Sequence, residues 1–180
     1  YIQYDPIGGN QDFIAHFTDL APDIIEHVID LFGTAGAAVA GNYVYGYTKP
    51  GMYSGDFYII DLTTWEITFP AGGEAGDYLV YDMAYDHERQ RMFAMATHYG
   101  SDFWLVEVDR RDGSITTIAE MNTLGKNAWG FTIDSEGNAY TILASDTGSY
   151  DRTDTGKLAS VNLETGECTI IADTGIPTYF

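Results

Sequence analysis

The feature that most constrains this chain is a repeat. A segment that opens on Asp-Phe and continues as two alternating apolar-polar runs around a short polar turn occurs as DFIAHFTDLAPDIIEHV from Asp12, DFYIIDLTTWEITF from Asp56 and DFWLVEVDRRDGSITTI from Asp102. The spacings are 44 (56 minus 12) and 46 (102 minus 56) residues. A more diverged copy, GKLASVNLETGECTIIAD, begins at Gly156. Alternation of period two, broken by LAPD, TTW, RRDG or ETGE, is the pattern of a β-hairpin, because successive side chains of a strand point to opposite faces.

A second kind of hairpin lies between the copies: AVAGNYVYGYT (38–48), YDMAYDHERQRMFAMAT (81–97) and GFTIDSEGNAYTILAS (130–145). The Gly41-Asn42 and Gly137-Asn138 turns are 96 residues apart (137 minus 41), two repeat lengths, with the DHERQ turn between them. The unit is therefore four short strands in succession, a, b, c and d, over roughly 45 to 50 residues. A sheet that is apolar on both faces, as FWLVEV and YIIDL require, buries those faces only by stacking on neighbouring copies. The expected fold is all-β, a β-propeller of four-stranded antiparallel blades, with about four blades or as part of a larger propeller. One domain over 1–180 is expected, with repeat units near 1–36, 37–79, 80–127 and 128–180. A β-sandwich also has many short strands, but it does not require a repeated unit. The single stretch that reads as a helix, PDIIEHVIDL (22–31), aligns with the hairpin at Asp102 and is better taken as a strand.

Four c–d hairpins stand against three clear a–b hairpins, and YIQYDPIGGN (1–10) and the final GIPTYF offer only parts of strands. A four-bladed ring, a ring completed by a second copy in a homo-oligomer, and continuation in a longer chain all fit this count. A chain beginning at Tyr1 favours a piece of a longer propeller.

Composition narrows the partners. With 27 acidic and 8 basic residues, the net charge of -19 repels nucleic acid and anionic lipid surfaces, while cationic ligands or calcium are allowed. A hydrophobic share of 45%, with 14 tyrosines, places the chain far from disordered sequences. No apolar run is long enough for a membrane span. The single cysteine, Cys168, excludes an internal disulfide, and the four histidines lack zinc-finger spacing. Its apolar neighbours point to a small buried hydrophobe.

The c–d hairpins IIDLTTWEIT, SVNLETGECT and VEVDRRDGSIT share a strand ending in Asp or Asn, then a turn and a second strand. This pattern resembles the blades of bacterial secreted or cell-surface β-propeller proteins, the group that includes quinoprotein-like, lactonase-like and NHL-type propellers. The resemblance covers residues 12–180 and concerns architecture. It implies an extracellular or cell-surface location. Trp65 stands where such turns carry glycine, and the calcium ligands of lactonase-like propellers have no residue-by-residue counterpart, so no catalytic residue is carried over.

Because strands alternate in direction, the b–c and d–a loops share one end of the blades. The b–c loops TKPGMYSG, THYGS and SDTGSYDRTDTG carry Tyr53, Tyr99 and Tyr150, and the d–a segments add Tyr78, Trp129 and Tyr179. Rigid rings with a polar tip, set among glycines, suit stacking against sugars or peptides. Tyr53, Tyr78, Tyr99, Trp129 and Tyr150 are the candidate ligand-binding residues. Asp146, Asp151 and Asp154 are candidate calcium ligands, although their spacing does not match an EF-hand loop. The recurrent Asp12, Asp56 and Asp102 suit turn bonding. His98, Ser101 and Asp102 are adjacent in THYGSDF but lack the strand-turn-helix context of a hydrolase nucleophile. The functional expectation is a non-catalytic module that binds a glycan, peptide or protein, without a cofactor unless calcium. The alternatives are a lactonase- or lyase-like enzyme using carboxylates and a divalent metal, and a structural repeat domain.

Overall fold

A computed structural model describes residues 2–4, 12–18, 21–31, 34–48, 55–73, 75–98, 102–144 and 155–177. Its strands form four antiparallel sheets that follow one another along the chain. The first contains β1 (Ile2–Tyr4), β2 (Asp12–Thr18) and β3 (Ala21–Leu31). The second contains β4 (Thr34–Ala40), β5 (Tyr43–Thr48), β6 (Phe57–Asp61) and β7 (Ile67–Thr68). The third contains β8 (Tyr78–Asp86), β9 (Arg91–His98), β10 (Phe103–Val108) and β11 (Ile115–Glu120). The fourth contains β12 (Asn127–Ile133), β13 (Ala139–Ala144), β14 (Thr155–Val161) and β15 (Cys168–Pro177). Every sheet keeps the sequence order of its strands, and the stretch 22–31 is extended, not helical.

Strands β4 and β12 both pack against β8, so the first strands of the three complete sheets meet at the centre and each sheet runs outward from there. The fold is a β-propeller. Apolar residues on both faces of each sheet are what make it necessary. In β9, Met92, Ala94 and Ala96 enter the core shared with the second sheet, while Phe93 and Met95 enter the core shared with the fourth. In β10, Val106 and Val108 divide from Phe103 and Leu105 in the same way. Fully buried side chains of this size stabilise by roughly 1.5–3 kcal/mol each, so an unstacked blade would lose many such contributions. Cys168 lies in the core between the third and fourth sheets, and burial raises its thiol pKa to about 11.

The c–d turns close the seams between blades. Trp65, Gly113 and Gly166 occupy corresponding turn positions and all have left-handed backbone, with φ of 61°, 74° and 70°. A Cβ at Gly113 would overlap the ring of Phe57 in the preceding sheet, and the Gly113 carbonyl accepts a hydrogen bond from the Tyr47 hydroxyl. At the next seam the Gly166 carbonyl accepts from the Asn122 N–H at 3.1 Å. Glycine is needed at Gly113 for two reasons, its φ and the close approach of Phe57.

Each inner strand carries a β-bulge at the same place: between Thr34 and Gly36 in β4, Val80 and Asp82 in β8, and Trp129 and Phe131 in β12. A bulge inserts one extra residue and re-aims the side chains around it. The inserted residues are Ala35, Tyr81 and Gly130.

Candidate aromatic binding site

The bulge in β8 brings together the aromatic residues at the b–c and d–a end of the third and fourth blades. The Tyr81 ring stands 5.3 Å from Phe103 and 6.1 Å from Trp129, meeting the indole edge-on at 82°. Tyr81 is 37% exposed, Trp129 is half-buried and Phe103 is buried. The cluster thus has a fixed base and an accessible upper ring, and it spans the seam between two blades. Edge-to-face pairs of this kind hold their geometry because the positive ring edge meets the negative face.

The backbone beneath is locked by Asp82, the residue that follows the bulge. Its Oδ2 accepts from the Phe131 N–H at 2.7 Å across the seam, and its Oδ1 accepts from the Met83 N–H at 2.9 Å. Burial raises the Asp82 pKa, and the two N–H donors oppose that shift. On the far side of the seam, the Thr141 hydroxyl donates to the Gly130 carbonyl at 2.8 Å. Both inner-strand bulges are therefore held by specific hydrogen bonds.

Beside the cluster lies an open cleft of about 580 Å³, lined by Asp102, Phe103, Glu120, Asn122, Lys126 and Asn127. Phe103 belongs to both features. Phe103 thus joins the ring cluster to a pocket rich in amide and carboxylate groups, which Tyr81 and Trp129 do not themselves line. Among the described residues, no three His, Cys, Asp or Glu side chains come together as a metal site.

Of the sequence candidates, Tyr78 and Trp129 are at this end of the blades. Tyr78 is committed to the third blade: its hydroxyl is 2.6 Å from the Thr117 hydroxyl and its ring 5.2 Å from His98. Trp129 joins Tyr81, which the sequence reading did not select. Tyr53, Tyr99, Tyr150 and Tyr179 lie outside the described residues, as do Asp146, Asp151 and Asp154. Asp102 is exposed and lines the cleft, and among the described residues its carboxylate takes no hydrogen bond; residues 99–101, which precede it, lie outside the described residues. Asp61, Asp109 and Asp134, at the C-terminal ends of their strands, accept hydrogen bonds from N–H groups of the turns that follow. His98 Nε2 approaches Asp77 Oδ2 at 4.0 Å, and Ser101 lies outside the described residues.

No family model and no curated protein sequence matches the chain. Solved structures do match its fold. TolB from Acinetobacter baumannii is similar with a TM-score of 0.56 at 16% identity, over 95% of this chain and 42% of that one. A protein from Lactobacillus plantarum also gives 0.56 at 16% identity, over 98% and 55%. A candidate 6-phosphogluconolactonase from Bacteroides uniformis gives 0.53 at 11% identity, over 99% and 57%. The likeness is one of fold, and the chain spans about half the length of these structures.

Proposed function

We propose that this chain is a ligand- or partner-binding β-propeller module, in which the repeat units form one domain and the site is the aromatic cluster of Tyr81, Phe103 and Trp129 with its adjoining cleft. The observation that supports this reading is the accessible Tyr81 ring, held edge-on to Trp129 and packed on Phe103, the residue that also lines a polar cleft of about 580 Å³. A ring fixed from below gives up little entropy when it stacks on a ligand, and neighbouring amides and carboxylates supply hydrogen bonds for hydroxyl or peptide groups. A glycan or an extended peptide has this chemistry. The cleft and its surroundings are acidic in a chain of net charge -19, which directs the site away from phosphate backbones. Placement outside the cell follows the resemblance to secreted and cell-surface propellers.

The test is binding to glycan and peptide arrays by the wild type and by the Tyr81→Ala/Trp129→Ala double variant. Loss of binding in the double variant, with cooperative unfolding retained, supports the site. Unchanged binding would move the site elsewhere on the propeller.

A further inference from the structure

The turn-bearing end of the third blade concentrates positive charge in a chain that is otherwise poor in it. Of 8 Lys and Arg residues, four, Arg89, Arg91, Arg110 and Arg111, fall within the a–b and c–d turns of this blade and their edges. Three of them, Arg91, Arg110 and Arg111, line an open cleft of about 540 Å³ together with Tyr45, Gln90 and Ser114.

Two of the arginines are already satisfied. Arg91 forks onto Glu107, with Nε–Oε1 at 2.9 Å and Nη2–Oε2 at 2.7 Å. Arg111 forks onto Asp109, with Nε–Oδ1 at 3.1 Å and Nη2–Oδ2 at 2.6 Å. These bidentate pairs occupy the carboxylates of the cleft. Arg110 differs: among the described residues no carboxylate forms an ion pair with it. Its guanidinium lies over the Tyr85 ring, 4.7 Å from the centroid, with the Tyr45 hydroxyl beside it. The Tyr85 ring is itself anchored, because its hydroxyl donates to Gln90 Oε1 at 2.9 Å. Along the lining three arginines face Glu107 and Asp109, while Asp112 acts on Arg111 and Asp86 and Glu164 act on Arg91 from just beyond it, so Arg110 is distinguished by its own pairing and not by a net positive field.

A guanidinium held by a ring face keeps its in-plane N–H edge, and with one donor turned to the Tyr45 hydroxyl the others match a planar or tetrahedral oxyanion. We propose that this cleft is an oxyanion site, separate from the aromatic cluster, in which Arg110 binds the carboxylate or phosphate group of a small ligand. The Tyr85 ring orients the guanidinium, and the Arg91–Glu107 and Arg111–Asp109 pairs shape the walls without competing for the ligand.

The experiment is NMR of the arginine Nε–Hε groups, titrated with citrate in one series and inorganic phosphate in another, at ionic strength held constant with sodium chloride. The expected result is a saturable shift of the Arg110 signal, identified by its loss in Arg110→Gln, while the Arg89 signal stays in place. Tighter saturation by citrate assigns a carboxylate ligand, and tighter saturation by phosphate assigns a phosphate ligand. Arg110→Gln should weaken binding roughly 10- to 100-fold, as expected for losing a charge-assisted hydrogen-bond pair. The proposal is overturned if the Arg110 signal does not saturate, if all arginine signals move together, or if Arg110→Gln binds as the wild type does. If that variant does not fold, the Arg110 signal is assigned in the wild type by linking its side-chain Nε–Hε to its backbone amide in triple-resonance spectra, and the wild-type titrations then decide the matter.

Discussion

Asp86 is where a single substitution should separate a structural carboxylate from an ornamental one. It ends β8, its side chain is fully buried, and its Oδ1 accepts from the N–H groups of Glu88 and Arg89 at 2.9 and 3.0 Å. Arg89 Nη1 reaches its Oδ2 at 2.8 Å and continues to the Gly137 carbonyl at 3.2 Å, tying the a–b turn of the third blade to that of the fourth. Burial by itself would raise the Asp86 pKa, but the Arg89 side chain and the two backbone donors outweigh it and hold the carboxyl below its usual value. Asp86→Ala leaves two N–H groups without a charged acceptor, at roughly 1.5 kcal/mol each, while the half-exposed Arg89 pair adds little, for a total of about 3 kcal/mol. For a chain of this size that is a fall in Tm of roughly 6–12 °C, measurable by calorimetry or urea denaturation. The folded pKa is depressed, so the stabilisation is complete above the unfolded carboxyl pKa, near 4, and is lost as pH falls through the folded value. The gap between wild type and Asp86→Ala should therefore be full at pH 7 and shrink below about pH 4. Asp134 bonds its own turn similarly, accepting from Glu136 and Asn138 N–H at 2.9 Å, but it is solvated. Asp134→Ala should cost much less. Equal losses for the two variants, or a gap at pH 3 as wide as at pH 7, would show that the buried Asp86 carboxylate does not stabilise the turn.

Three further outcomes follow from the same structure. Asp82→Asn keeps the volume, but the amide can accept from only one of the Phe131 and Met83 N–H groups and turns its NH₂ toward the other; urea denaturation should show a loss of about 1–2 kcal/mol. Because the raised Asp82 pKa makes the wild type lose stability as pH rises through that window, the deficit of the variant should be smaller at pH 7 than at pH 4. Trp65 has left-handed backbone at φ 61° and packs against Val44, Tyr58 and Ile60, so Trp65→Gly and Trp65→Ala both lose the ring but only glycine relieves the backbone. The glycine variant should be the more stable of the two by about 1 kcal/mol in thermal unfolding. Cys168 is buried with its thiol raised to about 11, so a chromogenic disulfide reagent should react only on the timescale of unfolding at pH 8; immediate reaction in the native state would contradict the core position.

The blade pattern was legible in sequence because it depends on local rules. Period-two alternation in FWLVEV and RMFAMAT, repeated at 44 to 46 residues and broken by turn residues, requires strands with two buried faces, and only stacked sheets supply them. The same pattern made Cys168 a core residue and 22–31 a strand. Trp65 stood out as a departure from the turn glycine, and the structure shows the physical reason in its positive φ. Tyr81 was not legible. It is the inserted residue of a bulge, and a bulge breaks the alternation from which a side chain's direction is read. Nor could the sequence distinguish Arg110 from Arg111, adjacent and alike, one forked onto Asp109 and the other laid over Tyr85, a residue 25 positions earlier (110 minus 85). Strands, turns and the need for stacked neighbours all follow from residue spacing along the chain. Which rings and charges meet across the seams depends on how the blades pack, because those contacts join residues that stacking, not spacing, makes neighbours.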